Sequence, residues 1–311
     1  MSIFPEKYPL RCWAARTQDV QLLMDSTSGG AFTEIAKVVL SEGGVVFGVV
    51  WANDFSHAEY QWAETEVGLA PMRGVKYTVA DMSSVYSPMK KFLDCGRKVM
   101  FTGTPCQTAA IRKVFGANPN LLLCSLICMS NVDSAIWKQY IYELQNKYKS
   151  IVSGVKHRGK IRGKTGFFCI FEFENRHKNR WEFLRENMYI RNLQHNARKC
   201  CAKCNFKCGR HAADIQIGDY WGVDAIYPEL DDGKGVSAVL AFTEAGIIAV
   251  NKSSLKLWPS SYEQILVKNP YIEKSICDNT PYQNITFRER MYCKYLHVRN
   301  WFGSIIKHTH D

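Results

Sequence analysis

Apolar residues in the first half of the chain alternate between helical and extended spacing. Segment 31–44, AFTEIAKVVLSEGG, repeats its apolar positions at helical intervals and ends in two glycines, which predicts a helix and its stop. The unbroken run 45–51, VVFGVVW, predicts a buried strand, and 57–64 predicts its antiparallel neighbour. A second helix is predicted over 83–93. Residues 1–27 show no such pattern and are interpreted as a lead-in.

The stretch 98–116, KVMFTGTPCQTAAIRKVFG, predicts a strand, a turn and a helix in succession. Thr104 is a favourable N-cap, Pro105 fits the first helical position, and Gln107 completes a Thr-x-x-Gln capping box. Cys106 is then expected in the first helical turn, where the helix dipole lowers the pKa of a thiol.

A second apolar strand is predicted over 120–130 and ends near Cys128, and 134–148 has the pattern of an amphipathic helix. If this strand runs parallel to the preceding one, their carboxyl ends share one sheet edge and bring Cys106 and Cys128 together. The alternation of strands and helices favours an α/β core built on an open sheet.

The pattern changes after residue 150. Alternating segments in IVSGVKHR, GFFCIFEFEN and RWEFL predict antiparallel strands, a short helix is expected near 187–197, and 231–250 predicts loop, strand and helix. The predicted fold is therefore mixed α/β with antiparallel strands in the second half. Its parts are an N-terminal α/β part at 1–150, an antiparallel part of the same core at 151–250, and a helical basic segment at 251–311.

Composition favours a globular protein of the cytoplasm. The 311 residues are enough for a large core, and no apolar run is long enough to cross a bilayer. The N-terminus has no signal-peptide pattern, so the expected location is cytoplasmic. Twelve cysteines in that compartment favour metal or thiol chemistry over a disulfide framework.

Positive charge is concentrated in one band of the sequence. The net charge is +11, and the stretch Lys147–Arg210 has 17 Lys and Arg against 4 Asp and Glu, a balance of +13. Such a band is typical of proteins that meet an anion, which could be nucleic acid, phosphate, an acidic partner or a negatively charged cluster. A solvated basic surface is the alternative.

Cysteines crowd into the stretch KCCAKCNFKCGRHAADIQIGDYWG, where four fall within nine residues just before a predicted strand. A CxxC pair can bind zinc, bind an iron–sulfur cluster or carry out dithiol redox chemistry. Zinc usually takes two close pairs, but the chain has no second CxxC and no HxxxH. We therefore favour a 4Fe–4S cluster held from separate segments, with Cys200 or Cys208 as substitute ligands. The favoured four ligands are Cys106, Cys128, Cys201 and Cys204.

A second candidate site precedes the first predicted helix. Ser28-Gly29-Gly30 offers backbone N–H groups with little steric hindrance, an arrangement that suits a phosphate. A plain helix cap and turn is the alternative interpretation. The chain has no GxGxxG and no GxSxG motif, so neither a standard dinucleotide fold nor an α/β-hydrolase is indicated.

Several motifs follow one another between about Cys12 and Val250: SGGAF, RGVKY, TGTPCQTAAI, SLIC, CAKCNF, ADIQIGDYWG and DDGKGVSAVL. In this order and spacing they resemble the coenzyme F(420) hydrogenase/dehydrogenase beta-subunit family. That family includes iron–sulfur flavoproteins, and it has bacterial members found with polysaccharide-biosynthesis genes.

The resemblance implies non-covalent FAD beside a 4Fe–4S cluster, with 1–150 as the flavin-binding part. The family's cluster cysteines fall on the four favoured ligands. Catalytic candidates are basic residues in motif-bearing stretches, namely Lys76, His157, Arg158 and Lys234. The implied flavin contacts are Ser28, Gly29, Gly30, Lys76, Tyr77, Thr102, Gly103, Thr104 and Pro105.

The sequence departs from the family at two points. Many bacterial relatives carry a ferredoxin-like domain with CxxCxxCxxxCP, which this sequence lacks, so electrons are expected from a separate, acidic ferredoxin-like protein. Relatives also often read LICHG where this chain reads LICMS. Because Met129 cannot transfer a proton, an acid–base role for that histidine does not carry over.

The sequence thus predicts an FAD- and 4Fe–4S-dependent reductase of an anionic small molecule, associated by its family branch with polysaccharide or sugar-nucleotide metabolism. One alternative is a subunit of a deazaflavin (coenzyme F(420)) oxidoreductase. Another is a zinc-stabilised nucleic-acid-binding protein, which is the less favoured interpretation. A third is a thiol enzyme with Cys106 as nucleophile. An oligomer is compatible with all of them.

Overall fold

The structure, a computed structural model, describes residues 4–161 and 166–276. The helices in these ranges are α1 (Val20–Asp25), α2 (Ala31–Ser41), α3 (Tyr86–Asp94), α4 (Pro105–Phe115), α5 (Ser134–Tyr148), α6 (Met188–Arg191), α7 (Glu244–Lys252) and α8 (Tyr262–Leu266). The strands are β1 (Arg11–Thr17), β2 (Val45–Trp51), β3 (Ala58–Ala63), β4 (Ala80–Asp81), β5 (Val99–Gly103), β6 (Leu121–Leu126), β7 (Val152–Gly159), β8 (Phe168–Phe173), β9 (Arg180–Phe183), β10 (Ile215–Asp219), β11 (Ser237–Ala241) and β12 (Leu255–Ser260).

One large mixed sheet forms the centre of the fold. Its strand order is β12-β1-β11-β10-β6-β5-β2-β3-β4. Strands β10, β6, β5 and β2 run parallel, while β11, β1 and β12 pair antiparallel on one side and β3 pairs antiparallel with β2 on the other. The predicted mixed α/β fold is confirmed, and so is the parallel pairing of β5 with β6. The carboxyl ends of four strands therefore meet at one edge, where α/β sheets place their ligands.

A separate antiparallel sheet of β7, β8 and β9 follows α5 in the chain. Its apolar face packs on α5 around Trp137, which is fully buried. The prediction of antiparallel strands after residue 150 is confirmed, because β8 pairs antiparallel with both β7 and β9.

The helix at the end of β5 begins as its sequence predicts. Thr104 is the N-cap, Pro105 opens the helix, and Gln107 completes the capping box by accepting a hydrogen bond from the Thr104 N–H at 2.9 Å. The cap fixes the direction in which Cys106 leaves the sheet edge.

Three local expectations were wrong. The lead-in contains β1, which lies between β11 and β12 in the large sheet. The sequence of β1, RCWAART, lacks the β-branched residues that mark strands, apart from its final threonine, and its partners lie more than 200 residues away. Only Met188–Arg191 of the expected helix near 187–197 is α-helical, and 255–260 is a strand within the segment expected to be helical. Residues 277–311 of that segment lie outside the described ranges.

Strands from 1–150 and from the rest of the chain share the large sheet.

Within the described ranges, none of the helices combines the length and the apolar character needed to cross a bilayer.

Candidate functional site

A cavity of about 830 Å³ opens at the carboxyl edge of the parallel strands. The ends of β5, β6 and β10 form its floor, and the loop after β6 forms part of its wall. Its volume lies in the range of small-molecule and cofactor sites, and its position is the one that α/β sheets use.

Most of the predicted cofactor-binding residues line this cavity. Gly29 and Pro105 are the two that do not, although each adjoins a lining residue. Arg158 and Cys128 also line it, whereas the catalytic candidates His157 and Lys234 do not. The lining members of the predicted set are Ser28, Gly30, Lys76, Tyr77, Thr102, Gly103 and Thr104.

The glycine loop before α2 lies directly on the central strands. The Gly29 N–H donates to the Ser237 hydroxyl at 3.0 Å, and its carbonyl accepts from the Thr17 N–H at 2.7 Å. A Cβ at Gly29 would lie 2.2 Å from the Ala15 carbonyl oxygen, so only glycine fits. Gly30, with φ of 86°, then turns the chain into α2 in the left-handed region. The N-terminus of α2 therefore borders the cavity and favours a negative group there.

Lys76 holds the loop that carries it. Its ammonium group donates to the carbonyl oxygens of Pro71 and Arg73, both at 2.9 Å, and of Gly74 at 3.2 Å. Burial lowers the pKa of Lys76 to about 7. The charge of this cavity residue therefore changes close to neutral pH.

His157 is enclosed by aromatic rings beneath the cavity wall. It stacks on Tyr77 at 5.4 Å and Tyr189 at 5.8 Å, and meets the edges of Trp51 and Trp137. Its Nδ1 accepts from the Tyr77 N–H at 3.0 Å, and burial lowers its pKa to about 3. A neutral, enclosed imidazole that accepts the Tyr77 N–H positions the loop of Lys76 and Tyr77. The predicted catalytic role of His157 stays a prediction.

Arg158 is the buried cation of the cavity wall. Its Nη1 forms an ion pair with Asp219 at the end of β10, and its guanidinium lies 4.2 Å from the Phe167 ring and 5.0 Å from the Trp221 ring. Burial acts to lower the pKa of Arg158, but Asp219 and Tyr77 outweigh it and raise the pKa. Arg158 is therefore a permanent cation and not a proton donor.

Lys234 is exposed and forms an ion pair with Asp232 at 3.2 Å. The same carboxylate binds Arg16 at 3.0 Å. The structure thus places Lys234 in a charge cluster outside the cavity, and its catalytic role also stays a prediction.

The four predicted cluster cysteines converge from three segments. Burial raises the pKa of Cys128 to about 12; Lys207 counteracts this, and the nearby Cys106, Cys201 and Cys204 raise the pKa further. Cys106 in turn interacts with Cys204, and Cys201 with Cys106. Each thiol therefore lies within electrostatic reach of others in the set, although the set spans about 100 residues of sequence.

Backbone contacts hold the cysteine loop against the strand ends. The Arg198 N–H donates to the Asn131 carbonyl at 2.9 Å, and the Cys204 N–H donates to the Ser275 hydroxyl at 3.1 Å. Beneath the loop, the buried Lys207 ammonium donates to the carbonyl oxygens of Cys128 and Tyr271, the latter at 2.6 Å. These contacts bring the CxxC pair to the loop that follows β6.

The expected lowering of the Cys106 pKa was wrong. Although Cys106 is exposed, the protein around it removes enough water to raise the thiol pKa, and Cys204 raises it further. The hydrogen bond with the Thr104 hydroxyl, at 3.2 Å, and the backbone N–H groups of the helix start only partly offset this. A thiol with a raised pKa is a poor free nucleophile at neutral pH, which weighs against the thiol-enzyme alternative.

The two substitute ligands differ in position. Cys200 lies beside Cys201 and forms a hydrogen bond with it. The Cys208 thiol donates to the Glu273 carbonyl at 3.7 Å, and the charges that act on it come from Glu273, Arg210, Glu6 and Lys207, not from another cysteine. Cys208 therefore faces away from the converging set.

The donor set consists of thiols, the side chains that hold iron–sulfur clusters and many zinc ions. Among the described residues, no three His, Cys, Asp or Glu side chains are arranged closely enough to hold one metal ion. Zinc needs all its sulfurs within about 2.3 Å of one point. An iron–sulfur cluster binds each thiolate to a different iron, so its sulfurs stand further apart. His211 is buried, and its Nδ1 accepts the Ala213 N–H at 3.1 Å, so it does not complete a zinc site through that nitrogen.

The cavity wall and the cysteine cluster share residues. Cys128 belongs to both, and Thr104, a cavity residue, forms a hydrogen bond with Cys106. A group bound in the cavity would therefore lie next to a group held by the cysteines.

Sequence reasoning missed two inward-pointing lysines at the site, the half-buried Lys160 and the buried Lys207. Lys160 donates to the carbonyl oxygens of Leu23 at 2.6 Å and Ser28 at 2.8 Å, and so fixes the glycine loop. Lys207 supports the loop of Cys128. Both stand in the basic band, where the sequence shows their charge but not that they turn inward. Asn131 and Gln194, which line the cavity, carry no sequence signal that we recognise.

Two family profiles match the sequence, and both describe the beta subunit of coenzyme F(420) hydrogenase/dehydrogenase. Residues 12–87 match its N-terminal profile, and residues 96–257 match its C-terminal profile. Among solved structures, the fold is similar to a chain in a xenon derivative of the F(420)-reducing nickel–iron hydrogenase complex from Methanosarcina barkeri. The identity is 18%, the TM-score is 0.57, and the match covers 85% of this chain and 91% of that chain. No curated protein sequence matches.

Proposed function

This chain belongs to the coenzyme F(420) hydrogenase/dehydrogenase beta-subunit family of oxidoreductases, and from that premise we propose that it is an iron–sulfur flavoprotein reductase. In this proposal the four cysteines hold a 4Fe–4S cluster and the cavity holds FAD. When bound, the cluster exchanges single electrons and the flavin exchanges pairs, which suits hydride transfer to a substrate.

The proposal rests chiefly on the shared wall between the cysteine cluster and the cavity. Cys128 lines the cavity and interacts with the other three thiols, so a cofactor in the cavity would contact the cluster's own ligand. A zinc-stabilised nucleic-acid-binding protein would have no need for a cofactor-sized cavity beside its metal.

The residues of the wall are suited to a flavin with a diphosphate. The start of α2 presents backbone N–H groups, and Lys76 adds a charge that is present below about pH 7. Thr102 at the end of β5 has a buried hydroxyl without a hydrogen-bond partner among the described residues, which a polar ligand atom would satisfy. The cysteine thiols would lose their protons on binding the cluster, as coordinating thiols do.

An acidic ferredoxin-like protein is the proposed electron donor. Arg198, Lys199, Cys200 and Lys203 line the outer face of the cysteine loop, so positive charge surrounds the cluster site. Charge complementarity would guide an acidic partner to that face and raise the association rate. A rate of reduction by an acidic ferredoxin that falls as the salt concentration rises would support this choice of electron donor.

The proposed substrate is an anionic small molecule, because the cavity wall is rich in cations. The family association with polysaccharide or sugar-nucleotide metabolism suggests its class. The family name and the similar hydrogenase chain favour a second candidate, in which the substrate is the deazaflavin coenzyme F(420).

Quantification of iron, sulfide and flavin on protein purified without oxygen tests the proposal. We expect about four irons and four sulfides per chain, one FAD, and a brown sample with flavin absorption. A colourless protein that contains zinc and no flavin would reject the proposal.

A further inference from the structure

Arg158 differs from two other arginine–aspartate pairs of the fold in how its nitrogens are used. In Arg16 and Arg112, every side-chain nitrogen donates to an oxygen of a carbonyl or of a partner carboxylate. In Arg158, Nη1 binds Asp219 and the Tyr77 hydroxyl also acts on the guanidinium, while Nε and Nη2 are buried and make no hydrogen bond of good geometry with the described residues. Buried N–H groups are rarely left unpaired, so this pair of donors points to a missing acceptor.

The two unpaired nitrogens form one edge of the guanidinium. Nε and Nη2 donate in parallel along that edge, which is the fork that matches a carboxylate or a phosphate. Asp219 binds Nη1 and leaves this fork open. The arrangement therefore offers two parallel donors for a second oxyanion.

The surroundings of Arg158 are those of a ligand site. Arg158 is 6% exposed and lines the cavity, and Phe167 and Trp221 contact its guanidinium. The Trp221 side chain is 49% exposed and itself lines the cavity, so the guanidinium lies between a cavity-facing ring and the protein interior.

Charge in the cavity favours an anion. The described lining includes a single carboxylate, that of Asp219, against several cations. The cationic lining residues are Arg73, Lys76, Arg158, Arg191 and Lys268.

We propose that the Nε–Nη2 edge of Arg158 binds an oxyanion, a carboxylate or a phosphate, of a molecule that enters the cavity. This inference deepens the proposed function and rests on it, because it takes the cavity as the site of flavin and substrate. The oxyanion can belong to the flavin's diphosphate or to the substrate. Asp219 is then a positioning residue that fixes the plane of the guanidinium.

Replacing Arg158 by lysine tests the fork, because Arg158→Lys keeps the charge and removes the parallel donors. Arg112→Lys is the matched control, since Arg112 also pairs with a buried aspartate but lies outside the cavity. Calorimetric titration of the full chain with FAD, and of the FAD-loaded protein with inorganic phosphate and with acetate, gives three affinities per variant.

The titrations distinguish the two sources of the oxyanion. If the flavin supplies it, Arg158→Lys weakens FAD binding at least 10-fold. If the substrate supplies it, FAD affinity changes less than 2-fold, and binding of phosphate or acetate to the FAD-loaded protein weakens at least 10-fold. If none of the three affinities changes relative to Arg112→Lys, the inference is wrong.

A second variant covers the case in which Arg158→Lys does not fold. Asp219→Asn keeps an amide oxygen that can accept from Nη1, and so keeps the plane of the guanidinium, but removes the competing charge. We therefore expect oxyanion binding at least 2-fold tighter; equal or weaker binding would overturn the inference. Titration of flavin-free protein with phosphate and acetate keeps this result separate from the proposed function. If protein purified without oxygen contains neither flavin nor iron and yet binds phosphate through Arg158, the proposed reductase function is rejected and the oxyanion site at Arg158 is retained.

Discussion

The cysteine cluster (Cys106, Cys128, Cys201 and Cys204) and the glycine side of the cavity (the Ser28–Gly30 loop with Lys76 and Lys160) border the same cavity, yet they are built in opposite ways. In the cluster, side-chain chemistry is the main feature: four thiols of separate origin converge, and burial holds the pKa of Cys128 near 12. On the glycine side, backbone groups dominate, and the lysines there donate to carbonyl oxygens. Thiols with a raised pKa lose their protons when they coordinate a metal, so the first region would be stabilised by what it binds. The glycine loop of the second region is held by hydrogen bonds within the chain.

This difference predicts how each region fails. Replacing one of the four cysteines should abolish binding of the iron–sulfur cluster and leave the fold intact. Adding a side chain in the glycine loop should instead destabilise the fold. Four predictions sharpen or break this contrast, from the largest expected effect to the smallest.

The largest effect is expected at Cys128. Cys128→Ser removes the thiol that interacts with all three others, so we expect loss of most of the bound iron and of its visible absorption. Cys208→Ser is the control, because Cys208 faces away from the set, and it should keep its iron. Iron retained in Cys128→Ser, or lost equally in Cys208→Ser, would show that the ligand set is different.

Crowding the glycine loop should give the next largest effect. In Gly29→Ala the new Cβ would lie 2.2 Å from the Ala15 carbonyl oxygen and 2.6 Å from the Ser237 nitrogen, both backbone atoms that cannot move aside easily. We expect a loss of roughly 3 kcal/mol in the free energy of unfolding, measured with denaturant.

Gly43→Ala is the matched control for the glycine loop, because no atom lies within 4 Å of a Cβ there and only the positive φ of 73° opposes the change. Its cost should be about 1 kcal/mol. Equal losses in the two variants would mean that close backbone approach is not what defines the loop.

The buried ammonium of Lys207 should set the reduction potential of the iron–sulfur cluster without being one of its ligands. Lys207→Gln removes a positive charge that acts on Cys128, so we expect the reduction potential of the cluster to fall by on the order of 50 mV, with iron content unchanged. Lys203→Gln changes a more accessible charge of the same loop and should shift the potential much less. Potentiometric titration followed by electron paramagnetic resonance measures both; identical shifts would reject a specific role for Lys207.

The sequence predicted more of the cluster than of the cavity, for physical reasons. A thiol keeps its chemistry wherever it stands, so Cys106 and Cys128 could be placed at strand ends from periodicity and capping alone. The orientation of Lys160 and Lys207 depends on carbonyl groups far away in the chain, and β1 depends on partners more than 200 residues distant. Such contacts leave no local pattern, which is also why His157 could not be recognised as an enclosed residue.

Lys76 gives the smallest effect, seen as pH dependence. Burial lowers its pKa from 10.5 to about 7, so between these values the unfolded chain binds a proton that the folded chain does not. Stability should therefore rise with pH from about 7 towards 10, and the rise should be shallower in Lys76→Met. Denaturant unfolding at several pH values measures the two slopes.

A second lysine and a histidine bear on how these slopes are interpreted. Burial also lowers the pKa of Lys160 to about 7, so Lys160→Met should flatten the same window, and the double variant should flatten it further. His157 has a pKa of about 3 and adds nothing between pH 7 and 10. Since anions bind better to charged Lys76, FAD affinity should fall as pH rises through 7 in the wild type and stay level in Lys76→Met. If FAD affinity in Lys76→Met depends on pH as it does in the wild type, Lys76 only supports its loop. The preference for an anion on the glycine side of the cavity would then come from α2.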